Sequence, residues 1–322
     1  MNQEKKLPSS GGITAKLNHH ANKTGIPFAR LQKMIAVIIV SQLVPEGTVI
    51  KGGNALGLRF PLEDSRMSKD LDLVFGDSYL EWETEFRARL AKGTNGFDGS
   101  LEDRGKGETQ KNERDPGRPN VIYKNIKLRY LGKSFSTLPL DITPAQGYER
   151  SSSSYRISDD SVALMKYLGF EEPAGARLLD VEAQLAQKTA ALYSSKDPRP
   201  SDLTDMVRLF PVLDGEGNLE LYRSLLAFEM EIREIKQPYD IPNKSTLQQL
   251  FRNQEGGDDE TFTHITERAE KEICEASRRT PWKPEVSQKK TILAQIKSRA
   301  QNRIDEQSHT SDQVRKNRNR GI

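Results

Sequence analysis

Residues 49–75 read VIKGGNALGLRFPLEDSRMSKDLDLVF. The run closes on Leu71-Asp72-Leu73-Val74-Phe75, apolar and β-branched enough for a buried strand, yet Asp72 lies within it and Asp70 just before it. Side chains alternate along a strand, so Asp70, Asp72 and Val74 share one face while Leu71, Leu73 and Phe75 share the other. Two like charges on one sheet face repel and lose hydration, so the pair needs solvent, a basic group or a cation to compensate it. Solvated acids at an exposed strand end meet that condition. A divalent metal meets it too: Mg²⁺ takes a few carboxylates together with substrate phosphates, and such ions can activate an attacking oxygen and stabilise a leaving one.

Upstream, Thr48-Val49-Ile50 reads as a short strand running into Lys51-Gly52-Gly53-Asn54-Ala55-Leu56, a glycine turn that opens an apolar helical segment. Such a turn lets backbone N–H groups approach a phosphate closely, and the start of the helix adds a dipole that favours anions. A Gly-Gly pair by itself is usually only a tight turn. Here Asp70 follows Gly53 by seventeen residues within Ser68-Lys69-Asp70-Leu71-Asp72, so the pattern is a phosphate cradle facing a metal site.

KGGNALGLRF followed by SRMSKDLDL resembles the AbiEii-type nucleotidyltransferases, the toxin members of a type IV toxin–antitoxin family within the DNA polymerase β-like nucleotidyltransferase superfamily. That family carries a K-G-G-[ST]-A-L turn, then S-x-D-[IL]-D, then a helical lysine and an R-D-x-x-D element. The chain matches the second motif at Ser68, Asp70 and Asp72 and departs from the first at Asn54, where serine or threonine is usual.

The second half supplies the other elements. In LLDVEAQLAQKTAALY, Val181, Leu185 and Leu192 fall on one helical stripe, and Lys188 falls on it as well. A lysine there either snorkels at the stripe's edge or places a cation in a cleft, within reach of nucleotide phosphates. The family's A-x-K-x-x-A matches Ala186, Lys188 and Ala191 and implies the second. In SSKDPRPSDLTDMVRLF, Asp202 and Asp205 match the acids of R-D-x-x-D, although Ser201 precedes Asp202 and the nearby arginine is Arg199. An acid at a helix start is also explained by capping and the dipole. Polymerase β-like palms carry a third carboxylate on a neighbouring strand, and the resemblance implies Asp141 in STLPLDITP, behind a hairpin of VIYKNIKLRYLG and STLPLDI.

Strand signals sit mainly before residue 150 and helical periodicity after it, in a chain of 322 residues. The expected architecture is α+β: a polymerase β-like palm, a mixed sheet with flanking helices, followed by a mainly helical domain. The expected divisions are a flexible segment 1–22, a palm 23–150 containing a mobile loop 92–120, a helical domain 151–300 and a basic flexible tail 301–322. One cysteine, Cys274, excludes an intramolecular disulfide framework and fits a reducing cytoplasm. The apolar run Met34–Val40 is too short to span a bilayer and reads as a helix buried against the palm. Net charge is only +3, but Arg278, Arg279, Lys283, Lys289, Lys290, Lys297, Arg299 and Arg303 join Arg315, Lys316, Arg318 and Arg320 in a basic C-terminal region. Such a region is either a solvated basic face or a surface for a polyanion.

The resemblance implies a metal-dependent nucleotidyltransferase that moves an NMP from an NTP to an acceptor hydroxyl, with a tRNA 3′ end as the expected acceptor. It also implies a growth-inhibiting toxin of a toxin–antitoxin or abortive-infection system, whose antitoxin is encoded nearby and acts without a direct complex. Lys51, Gly52, Gly53, Asn54, Ser68 and Lys188 would bind the nucleotide; Asp70, Asp72 and Asp141 would hold Mg²⁺ or Mn²⁺; Lys188 and Asp202 would complete the catalytic set. Two rivals share part of the pattern. An aminoglycoside-type enzyme would need an acidic acceptor pocket, and a degenerate binding module would have lost charged site positions.

Overall fold

In the computed structural model, which describes residues 7–64, 68–104 and 121–283, the apolar run becomes the middle of α2 (Phe28–Leu43). Leu31, every residue from Met34 to Val40, and Leu43 are buried, and a helix apolar on nearly every side must be covered on every side. Covering it are α1 (Ser10–Thr24), one face of the sheet and α4 (Tyr79–Lys92). The segment 1–22 is therefore not loose from Ser10 onward. Ser9 accepts a hydrogen bond from the Gly12 N–H at 3.1 Å, Gly25 ends the helix in the left-handed region at φ 74°, and Ile13 and Leu17, one turn apart, are buried.

Five strands form the main sheet: β1 (Val49–Lys51), β2 (Leu71–Phe75), β3 (Phe97–Asp103), β4 (Ile122–Tyr130) and β5 (Lys133–Pro144), in the order β1-β2-β5-β4-β3. The segment α3 (Gly52–Arg59) joins β1 to β2. Strand β2 pairs antiparallel with β1 and parallel with β5, and the register sets Asp72 beside Lys51 on one side and Asp141 on the other. Leu71, Leu73, Leu138, Leu140 and Ile142 are buried in one core with α2, so the aspartates between them project from the opposite face. The expected hairpin is β4–β5.

The expected loop 92–120 contains the strand β3. Phe97 and Leu101 are buried at alternate positions of β3, a period-2 signal hidden among glycine and charged residues. Residues 105–120 and the tail 301–322 lie outside the described residues, as do the tail's basic side chains.

Beyond the sheet come α5 (Asp159–Leu168), the two-residue strands β6 (Ser154–Tyr155) and β7 (Ala176–Arg177), then α6 (Val181–Ser194), α7 (Pro200–Glu216), α8 (Leu219–Ile232), α9 (Lys244–Phe251) and α10 (Asp259–Ala276). The described residues up to Trp282 pack as one unit containing two apolar cores. These cores do not divide at residue 150: α5, Ala176 and Leu178 belong with the sheet and α2, whereas Leu179 and α6 to α10 belong to the second core, which Val49, Leu56, Val74 and Tyr148 also join. The first core claims α5 because Val162, Leu164, Met165 and Leu168 are all buried in it. The chain changes core while bound to β1, for Leu178 bridges Ile50 and the Leu179 N–H donates to the Ile50 carbonyl at 2.9 Å.

Candidate active site

A cleft of about 360 Å³ opens over the aspartate face of the sheet. Lys51, Gly52, Gly53, Ser68, Lys69, Asp70, Asp72, Asp141, Gln184, Gln187, Lys188, Arg199, Ser201 and Asp202 line it. Of the positions expected from the sequence, only Asn54 is missing from the wall.

The glycine turn is built around Asp72. Gly52 has φ +68°, and a Cβ there would lie 2.1 Å from Asp72 Oδ2. Both the backbone conformation and the approach of the carboxylate thus require glycine. Gly52 and Gly53 are the first residues of α3, whose unsatisfied N–H groups and dipole favour an anion at this wall. The Gly52 carbonyl accepts from Gln184 Nε2 at 2.8 Å, fixing the turn to α6. Asn54 is buried beneath the turn, and its Nδ2 donates to the Asp70 carbonyl at 2.7 Å. In place of a wall contact, the longer amide at this position clamps the strand that carries the acids.

Lys33, from α2, donates to the carbonyls of Ser68 and, at 2.7 Å, of Lys69, so the approach to β2 is held by a buried-stem lysine. Burial pushes the Lys33 ammonium below its ordinary value, and Asp70 acts in the other direction. On the cleft face, the three acids have unequal surroundings. Burial, then the charges of Asp72 and Asp70, push the Asp141 carboxyl up to about 7, with Arg104 opposing. Arg104 Nη1 lies 2.8 Å from Asp70 Oδ1 and 3.3 Å from Asp141 Oδ1.

On the opposite wall, α6 presents Gln184, Gln187 and Lys188 together, as residues three and four apart must. Lys188 Nζ donates to Asp202 Oδ1 at 2.9 Å and to Asp205 Oδ2 at 2.6 Å, and Arg199 Nε reaches Asp202 Oδ2 at 2.6 Å. Asp205 is fully buried behind the wall, whereas Lys188 and Asp202 reach it. Arg199, although two places earlier than the family's arginine, meets the same aspartate because α7 starts between them at Pro200.

Lys51 Nζ contacts Glu149 Oε1 at 3.1 Å, and Gln187 Nε2 donates to the same oxygen at 3.3 Å and to the Tyr148 hydroxyl at 2.6 Å. Tyr148 in turn donates to Glu229 Oε1, whose other oxygen accepts from Arg233 Nε at 2.8 Å. A buried polar chain therefore runs from the glycine turn to α8. Burial, with Glu229 and Glu149 nearby, pushes the Tyr148 phenol well above its ordinary value.

The sequence reading missed Arg104, Gln184, Gln187 and Lys33. Gln184 and Gln187 carried the same signal as Lys188, polar groups on an otherwise apolar helix, and Lys33 is one of two cations, with Arg30, in the first turns of α2.

The donors offered by Asp70, Asp72 and Asp141 are all carboxylate oxygens, the chemistry that suits Mg²⁺ or Mn²⁺, and the raised Asp141 marks negative charge that a cation would relieve. As they stand, no three acidic, histidine or cysteine side chains among the described residues converge closely enough to enclose an ion. Arg104 takes up part of that space. Also among the described residues, no single helix is long and apolar enough to cross a membrane.

Comparisons with known proteins bear on the fold and the family. MenT4, the nucleotidyltransferase toxin Rv2826c from Mycobacterium tuberculosis H37Rv, superposes with TM-score 0.51 at 15% identity, covering 83% of this chain and 90% of that one. A putative nucleotidyltransferase from H. pylori aligns with TM-score 0.41 at 15% identity over 77% of this chain and 95% of that one. No curated protein sequence matches the chain. Residues 39–297 match the family described as the nucleotidyl transferase AbiEii toxin of type IV toxin–antitoxin systems. With an α+β nucleotidyltransferase fold and a family match over most of its length, the chain belongs to the AbiEii nucleotidyltransferase toxins.

Proposed function

We propose that the protein transfers a nucleoside monophosphate from an NTP to the 3′-terminal hydroxyl of tRNA and, by disabling the tRNA, arrests growth as a toxin or as an abortive response to phage. The observation that carries this reading is the meeting, in one cleft, of the Gly52-Gly53 turn with three carboxylates on adjacent strands. The turn, with Ser68, receives the triphosphate through N–H and hydroxyl donors, and Lys51, Lys69, Lys188 and Arg199 lower the cost of its charge. Asp70, Asp72 and Asp141 would hold Mg²⁺ or Mn²⁺, which when bound supplies charge neutralisation at the reacting phosphate. The acceptor oxygen bonds to the α-phosphorus as the bond to pyrophosphate breaks, and its proton passes to the ionised carboxylate of Asp141. Lys188, Asp202 and Asp205 keep the α6–α7 wall in place behind the nucleotide.

A tRNA substrate places the reaction in the cytoplasm. An antitoxin encoded beside the toxin, acting without a direct complex, accounts for how a host tolerates it.

Purified protein incubated with total tRNA, Mg²⁺ and each α-³²P NTP in turn should label tRNA with at least one nucleotide, and an Asp72→Asn variant should not. Absence of label from tRNA with every nucleotide, in protein that binds NTP, would overturn the assignment of the acceptor.

A further inference from the structure

Arg104 directly follows β3, two strands away from β5, yet its side chain crosses β4 to reach the acids. Its backbone N–H donates to the Tyr123 carbonyl at 3.3 Å, and the guanidinium lies 5.5 Å from the centre of the Tyr123 ring. Tyr123 stands opposite Asp141 in the β4–β5 register, so this path delivers the cation directly over the third carboxylate. There, one nitrogen, Nη1, contacts Oδ1 of both Asp70 and Asp141. We propose that Arg104 is the resident counter-ion of the three-acid site, competing with a divalent metal for the same carboxylate oxygens and setting the metal affinity of the nucleotide-free protein.

The inference rests on the reading of Asp70, Asp72 and Asp141 as metal ligands. On that reading, Arg104 and an ion would disfavour each other, because both would draw on the Asp70 and Asp141 carboxylates and two cations a few ångströms apart repel. Arg104 offsets the charges of Asp70 and Asp141, the two acids it contacts, without an ion. Arg104 is about one-third exposed at its side chain, which leaves it a way outward along the Tyr123 ring when the oxygens are claimed. A triphosphate favours that exchange by offering the guanidinium another anion to pair with.

The test is a titration with Mn²⁺, read by electron paramagnetic resonance of the free ion, in the absence of nucleotide. It compares native protein, Arg104→Gln, Arg104→Lys, and Asp72→Asn alone and combined with Arg104→Gln, with thermal melts confirming that each variant is folded. Arg104→Gln should bind Mn²⁺ about tenfold more tightly than native protein, Arg104→Lys should stay nearer the native value, and Asp72→Asn should remove binding in both backgrounds. Equal or weaker binding by folded Arg104→Gln, still abolished by Asp72→Asn, would overturn the competition while leaving the metal site intact. No binding by either native protein or Arg104→Gln, or binding indifferent to Asp72→Asn, would overturn the metal-site reading and the competition with it.

Discussion

Asp72 on β2 and Asp141 on β5 are paired neighbours in a parallel register, with Lys51 on the other side of Asp72 and its ammonium turned to Glu149. Adjacent in-register acids are normally avoided in a sheet because the strands bring like charges to the same height. Here the arrangement leaves one of the pair, Asp141, reluctant to ionise. Replacing either acid by asparagine should lower nucleotide transfer by about a hundredfold or more, measured as initial rates at saturating NTP, with unfolding temperature unchanged or raised.

Asp141 also predicts a pH dependence for the metal-free protein. Its carboxyl is at about 7 in the folded state, while in the unfolded chain it has the ordinary value near 4. Between these values the folded state holds a proton that the unfolded state has lost, so stability should decline as pH rises through this window and level off above it. After allowance for solvent screening, the change from this group should be about 1–2 kcal/mol. Chemical denaturation across the window in chelator, repeated with Asp141→Asn, checks it: the variant should lose this slope.

Gly52→Ala places a methyl on Asp72 and strains a left-handed backbone at once. A loss of about 1–3 kcal/mol is expected, together with a fall in transfer activity larger than that from Gly11→Ala in α1, where nothing stands within 4 Å of the added carbon. Parallel melts and rates for the two variants decide this.

Lys188 joins two acids in a nearly dry setting. Lys188→Met should cost about 3–5 kcal/mol, because two buried carboxylates lose their shared cation. Lys188→Met combined with Asp205→Asn should recover part of that stability but not the activity, if the lysine also serves the nucleotide. Denaturant midpoints and transfer rates on the three proteins separate the two roles.

Asn54→Ala removes the clamp on the Asp70 carbonyl and leaves a buried acceptor unpaired, at a cost of about 1–3 kcal/mol. Its effect on the KM for NTP should be small beside its effect on stability, since Asn54 is not in the cleft wall.

The site was legible where chemistry and local pattern coincide. Asp70 and Asp72 interrupt a strand, Gly52-Gly53 interrupts a strand-to-helix passage, and Lys188 interrupts an apolar stripe; each breaks a period that burial would otherwise enforce. Asp141, which the resemblance implied as a third carboxylate behind the hairpin, lines the same cleft. Arg104 was not legible, because β3 is rich in acids and owes its strand character to pairing with β4 over its whole length. Asn54 was read as a wall residue because spacing along the turn does not say which side chains turn inward. The core boundary was placed too early since α5 is helical like everything after it, and only its packing partners assign it to the sheet.

The change of core between Leu178 and Leu179 bears on how an acceptor gains access. Two neighbouring residues, pinned to the edge strand by a bridge and a hydrogen bond, have none of the slack of a swivel. The acids on one side and the α6–α7 wall on the other are mounted on a single frame at this join. On the proposed function, a polynucleotide end would enter between two walls that share this join.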